Sequence, residues 1–284
     1  MLDHTTLDLE SADRITYCLN QSFRYDYDTP VTSLRQRLVV VPPVRHGDLH
    51  RRSHRVDVTG AASQRRVSRD VSGNTIVRVH APRVEHSVEF RVTATIERVR
   101  RDGPPVLPAS TLVEPRLLRP TELTAPDDRI RDLAAALPQD KGLDLAKAIC
   151  AQTHAAIAYE PGVTTVDTTA AQALEDGRGV CQDQAHVMLA LCHLVGLPAR
   201  YVSGHLLGQG GTHAWVEVIL PRAGAAVAIP FDPCHDRRGD SRYVTIATGR
   251  DYADVAPTSG SYVGAPGGRL TASREVGVVK ICPE

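Results

Sequence analysis

The chain carries no net charge: its 284 residues hold 33 Lys and Arg against 33 Asp and Glu. Such a balance gives no global attraction for nucleic acid or an anionic membrane, and neither is expected as a partner. No apolar run reaches the roughly 18 residues that a membrane-spanning helix needs. Residues 1–25 lack the apolar stretch of a secretory signal and carry acids from Asp3 onward, so a cytoplasmic location is expected. The cysteines (Cys18, Cys150, Cys181, Cys192, Cys234 and Cys282) form no CxxC pair and no regular spacing. That argues against a zinc ribbon or a disulfide scaffold. In a reducing cytosol they stay thiols, which leaves room for one to work as a thiolate. No His, Cys or Asp spacing points to a metal, and no glycine-rich strand–turn–helix points to a nucleotide. No cofactor is expected.

What is present divides the chain. Leu34–Val41, His54–Val58, Thr75–His80 and Ser87–Val99 are short, branched or alternating at period two, with Ser72-Gly73-Asn74 as a turn. They predict an antiparallel β-sandwich over residues 11–105. Arg51, Arg52, Arg55, Arg65, Arg66 and Arg69 then read as a solvated face of that sheet. Residues 106–127 are proline-rich and predict a linker. Residues 128–284 predict a second domain of α+β type. Ile130, Leu133, Ala134 and Leu137 fall at helical spacing, Gly142–Ala158 continues it, and Cys181–Val195 forms a third helix stopped by Gly196 and Pro198. That helix carries an apolar stripe of Ala185, Met188, Leu189, Cys192 and Val195. Strands follow at Ala199–Leu207, His213–Leu220 and Ala225–Phe231.

Three residues stand where thiol chemistry needs them. Cys181 opens a helix after a glycine-flanked turn, where unpaired N–H groups favour an anion and can hold an oxyanion. His213 opens a strand after Gln209-Gly210-Gly211-Thr212. Asp232 ends the next strand at Phe231-Asp232-Pro233. Taken singly, each is more often a structural cysteine, a surface imidazole or a turn carboxylate. Their order on helix, strand and strand shifts that balance towards a nucleophile, a base and a group that orients the base.

The stretches Gly179-Val180-Cys181-Gln182-Asp183-Gln184-Ala185-His186, Gly196–Gly204, His213-Ala214-Trp215-Val216-Glu217-Val218 and Phe231-Asp232-Pro233 resemble bacterial transglutaminase-like proteins. Gly249–Pro257 looks like the segment that closes the same core. The first half, with Tyr25-Asp26-Tyr27 and the Gly73-Asn74 turn, resembles the β domain that often precedes it. The resemblance implies a papain-like/transglutaminase-like core and a catalytic triad of Cys181, His213 and Asp232. It also implies an acyl-thioester intermediate and a peptide or protein substrate. Gln184, His205 and Cys234-His235 depart from the common pattern, which puts substrate preference rather than chemistry in question.

Around the triad, Gln182 and Trp215 are the candidates for oxyanion or substrate contacts. His186 reads as packing, and Cys234 as a thiol that might regulate Cys181 through a disulfide. Neutral glycines precede His213, and arginines interleave with Asp236 and Asp240. No acidic anchor for an amine is evident, so a thiol peptidase or amidase is favoured over glutamine-directed amine transfer. The rival from another class is a binding module that kept the fold without catalysis.

Overall fold

Alternating apolar and polar side chains build the first strands, because a pleated chain sends successive residues to opposite faces. These are β1 (Arg14–Asp26), β2 (Val31–Val41), β3 (Arg45–His46), β4 (Leu49–Thr59), β5 (Gln64–Arg69), β6 (Thr75–Val84) and β7 (Ser87–Val99). The structure, a computed structural model, describes residues 1–282. After β8 (Val106–Pro108) come α1 (Asp128–Ala135), α2 (Gly142–Ala156), β9 (Ala158–Tyr159), α3 (Ala170–Asp176), β10 (Arg178–Gly179) and α4 (Cys181–Leu194). The chain then returns to strands as β11 (Ala199–Leu206), β12 (His213–Arg222), β13 (Ala225–Asp232), β14 (Arg237–Arg238) and β15 (Tyr243–Gly249). It ends with α5 (Tyr252–Val255), β16 (Thr258–Val263) and β17 (Arg269–Cys282).

Two antiparallel sheets, ordered β17-β1-β7-β4-β3 and β16-β2-β6-β5, make the sandwich. Phe23, Leu34, Leu38, Val77, Val79 and Phe90 meet in its core. The last two strands correct the expected division of the chain. β17 pairs with β1 from Asp26↔Arg269 to Arg14↔Cys282, and β16 pairs with β2. Residues 258–282 therefore belong with the first half and not with a core reaching to 284. Physically, they cover open edges of β1 and β2 that would otherwise present unpaired backbone groups. The sandwich is closed by both ends of the chain.

The expected linker over 106–127 is not free either. Val106–Pro108 pairs with β13, and Leu112 and Leu117 on the following short helical turns pack against Ile219, Ala226 and Ala228.

The second sheet runs β14-β13-β12-β11-β15. The helices pack on it around α4, which is buried on every side from Asp183 to Cys192 rather than along a single stripe. A helix apolar all round belongs in an interior. Ala214, Val216, Val218 and Leu220 of β12 pack into the helical cluster, so the alternate residues His213, Trp215 and Glu217 point to the other face. Among the described residues, no helix is long and apolar enough to cross a membrane.

Candidate active site

The position of Cys181, the candidate nucleophile, is set by the turn into α4. Asp183 Oδ2 accepts Val180 N–H at 2.7 Å and the Thr164 hydroxyl at 2.7 Å, which ties the helix start to the 160s loop. A side chain at Gly179 would put its Cβ 2.7 Å from that carboxylate oxygen, so the residue before Val180 must be glycine. Burial raises the Asp183 pKa, against the opposing pull of its Val180 and Thr164 bonds. Cys181 is the first residue of the helix and is half-buried. Its N–H and that of Gln182 precede the first intrahelical bonds and lie at the positive end of the helix dipole.

The base position follows from strand register. Val216 pairs with Phe231 and Val218 with Ile229, so the start of β12 and the end of β13 lie at the same end of the sheet. His213 Nε2 donates to Asp232 Oδ2 at 2.7 Å, which leaves Nδ1 for another partner, and Cys181 lies near enough to the ring to help raise its pKa. His213 is 3% exposed and Asp232 fully enclosed. Burial works against charging His213, but Asp232 and the nearby Cys181 outweigh that and raise its pKa to about 9. For Asp232, burial alone would raise the pKa; His213, Tyr243 and His235 instead bring it down to about 2. The pair is therefore held as imidazolium and carboxylate at neutral pH.

Asp232 accepts more than the sequence suggested. Tyr243 hydroxyl donates to its Oδ2 at 2.6 Å, His235 Nδ1 lies 2.8 Å from the same oxygen, and Cys234 N–H donates to Oδ1 at 2.9 Å. Tyr243 in turn accepts from Arg237 Nε at 2.8 Å. Sequence reading missed Tyr243 altogether, because its contact is made through the side chain from β15 across the sheet end. The facing atoms of His213, Asp232 and His235 lie within 4.8 Å of one another, a grouping that a metal ion could also use. The sequence had offered no such spacing. One carboxylate facing two imidazole nitrogens at hydrogen-bond length accounts for the cluster without an ion.

Trp215 requires a correction. It is 1% exposed, with its ring centroid 6.2 Å from His213 in a stacked arrangement and 5.3 Å from Tyr243 edge-on. It backs the imidazole and is closed to substrate. Gly204 makes room for it: a Cβ there would stand 2.4 Å from the indole. Gln182 uses its side-chain amide on Val166 O at 3.2 Å, again bracing the 160s loop.

The competing histidines sit elsewhere. His205 lies 3.1 Å from Gly211 O, and burial lowers its pKa to about 4, so it is a neutral tether for the turn before His213. His186, lowered by burial to about 3, accepts Tyr252 N–H at 3.2 Å and is packing. Burial, with Asp232 and Cys181 nearby, pushes the Cys234 thiol up to about 12. All six cysteines are free. Tyr159, 57% exposed, lies within electrostatic reach of both Cys181 and Cys234, and so adds an aromatic surface beside the thiol.

Two family descriptions match the chain. Residues 17–97 match the bacterial transglutaminase-like N-terminal region, and residues 131–233 match the transglutaminase-like superfamily. An uncharacterised protein of Mycobacterium tuberculosis (strain ATCC 25618 / H37Rv) is 29% identical over 278 residues, spanning 87% of this chain and 83% of its own. An uncharacterised protein of Mycobacterium leprae (strain TN) is 34% identical over 161 residues, 52% of this chain and 55% of its own. The crystal structure of a candidate cysteine protease from Cytophaga hutchinsonii superposes with a TM-score of 0.76. It is 21% identical and covers 95% of this chain and 92% of that one. That likeness shows the fold.

Proposed function

Because this chain belongs to the transglutaminase-like superfamily, we propose that it is a cysteine-dependent amide or peptide hydrolase working through an acyl-thioester. The observation that carries the reading is one imidazole set beside two partners. His213 is bonded to the buried carboxylate of Asp232 at 2.7 Å and lies within electrostatic reach of Cys181 at the start of α4. In this reading the imidazolium of His213 already holds the proton given up by the thiol, and the thiolate of Cys181 attacks an amide carbonyl. The oxyanion is held by N–H groups at the start of α4. His213 gives its proton to the departing amine, and a water then cleaves the thioester with the same base. Asp232 fixes the tautomer throughout, and Tyr243 and His235 keep it in place.

Hydrolysis is favoured over amine transfer because two neighbouring carboxylates are engaged and a third, the exposed Asp236, is followed by Arg237 and Arg238. Asp232 accepts four donors, and Asp240 is paired with Arg242. Neither is free to draw in an ammonium group, whereas water is abundant. The test supplies a good acyl donor together with a primary amine in the millimolar range and quantifies the products by mass spectrometry. Free acid should dominate. A dominant amide-exchange product would replace hydrolase with transferase, and no turnover at all would favour the binding-module reading.

A further inference from the structure

The four-stranded sheet β16-β2-β6-β5 contains no Asp or Glu in any of its strands, while its arginines converge. Register places Arg37 opposite Arg78 and Arg78 opposite Arg66, so three guanidinium-bearing residues cross three adjacent strands on one face. Opposed residues of neighbouring strands have Cβ atoms about 5 Å apart, and like charges so placed destabilise a sheet. The next row repeats the pattern, with Arg35 opposite His80. Arg78 donates to Ser68 Oγ, and Arg37 to the backbone carbonyl of Asp254, at 2.7 and 2.8 Å. Neither contact neutralises charge. Arg35 and Arg66 have no side-chain partner among the described residues. In the other sheet of the sandwich five of the arginines are matched to acids, Arg24 with Asp26, Arg55 with Asp57, Arg91 with Glu89, and Arg14 and Arg52 with Glu97, whereas Arg51 donates only to a backbone carbonyl.

The arginine face is concave. A groove of about 710 Å³ runs over it, floored by these arginines with Gln64, His80 and Ser259 at its sides. At its inner end the same face meets the catalytic half. Val39 and Ile76 join the helical core cluster, and α5 bridges to the nucleophile helix, with Asp254 O receiving Arg37 and Tyr252 N–H bonded to His186.

We infer that this groove binds an acidic segment of the protein substrate, a run of Asp or Glu side chains laid across Arg35, Arg37, Arg66 and Arg78. The substrate part of this inference rests on the hydrolase reading; the anion-binding part does not. Charge complementarity selects the ligand. A row of guanidiniums without a carboxylate partner gains most from carboxylates, which accept its forked donors pairwise. An extended peptide presents alternate side chains about 7 Å apart, a spacing flexible arginines about 5 Å apart can meet. The groove contains no Phe, Tyr or Trp on which nucleobases could stack and only one imidazole, that of His80, which favours an acidic peptide over single-stranded nucleic acid.

The test separates binding from turnover. Affinity of a fluorescein-labelled deca-glutamate peptide is measured by anisotropy on the Cys181→Ala protein, with a deca-glutamine peptide, an oligo-dT and anionic vesicles as competitors. The glutamate peptide should bind in a salt-sensitive manner and the glutamine peptide should not. Adding Arg35→Gln and Arg66→Gln should weaken binding about tenfold. In the enzyme with Cys181 intact, the two arginine changes should leave turnover of a small ester untouched. Melting should stay the same or rise, because a like-charge repulsion has been removed. Equal binding of both peptides, or binding indifferent to the two substitutions, overturns the proposal. So does a stronger hold on oligo-dT or vesicles than on the glutamate peptide. If the ester is not hydrolysed while the glutamate peptide still binds, the hydrolase reading fails and the anion groove stands.

Discussion

Strand β12 carries two buried charge clusters on one face, His213 at its start and Glu217 four residues further on, and they are built for opposite ends. Glu217 is 2% exposed and closed on all sides: His46 Nε2 lies 2.6 Å from Oε1, and Arg200 Nε donates to Oε2 at 2.7 Å. Burial alone would raise its pKa, but His46 and Arg200 bring it down to about 2. His46 comes from the sandwich and Arg200 from the core sheet, so the cluster fastens one to the other. His213 is paired just as tightly with Asp232, yet it also lies within electrostatic reach of a half-buried thiol at a helix start. Pairing by itself marks structure. Pairing with one position left for a reachable nucleophile marks chemistry.

The contrast is sharpest at the nucleophile and base. Cys181→Ala and His213→Ala should each lower turnover by about 10⁴-fold or more; melting should stay near that of the parent protein for Cys181→Ala and fall for His213→Ala, which leaves the Asp232 carboxylate buried without its imidazolium. More than a few per cent residual activity in either would remove that residue from the mechanism. Asp232→Asn comes next, with a loss of about 10³- to 10⁴-fold from a misheld imidazole tautomer.

The same pair predicts the pH profile. A His213 pKa raised from 6.5 to about 9 means that the imidazolium persists through neutrality, and its stabilisation is lost only as pH rises through about 9. The alkaline limb of kcat/KM should fall there, and Asp232→Asn should move it to lower pH. A limb that stays put in the variant would show that another group titrates.

At the other cluster the effect should be on stability. Glu217→Gln leaves Arg200 and His46 facing a neutral amide and should cost about 3–5 kcal/mol of unfolding free energy. Activity per folded molecule should be kept. The depressed pKa of Glu217 makes its contribution complete above its ordinary 4.5, and lost as pH falls towards 2. Acid titration of melting in parent and variant should therefore converge below pH 4.5. Equal loss of activity and stability would mean that the two clusters act as one unit.

The smallest effect belongs to Tyr243→Phe. Asp232 keeps three other donors, so the loss should be about 1 kcal/mol, or severalfold in kcat. A loss as large as that of Asp232→Asn would make Tyr243 essential for holding the carboxylate.

Local patterns were enough to read the strands of the sandwich, the helix that begins at Cys181, the strand that begins at His213 and the stop at Asp232-Pro233. Each follows from period, turn chemistry or a helix stop, which involve residues close together in the chain. Trp215 and the closing strands were not legible in that way. An alternating strand does not say which face a tryptophan takes, and Trp215 turned out to lie behind His213 because Gly204 on the neighbouring strand leaves it room. Tyr243 carries no local mark of its bond to Asp232.

The order of the proposed nucleophile, base and acid along the chain was written in its residues, since helix starts and strand ends are local events. That β16 and β17 cross back to β2 and β1, that His46 reaches Glu217, and that unpaired arginines line up across three strands were decided only by the tertiary structure. Long-range strand pairing depends on which open edges remain once the rest of the chain has folded, and no local pattern states that in advance.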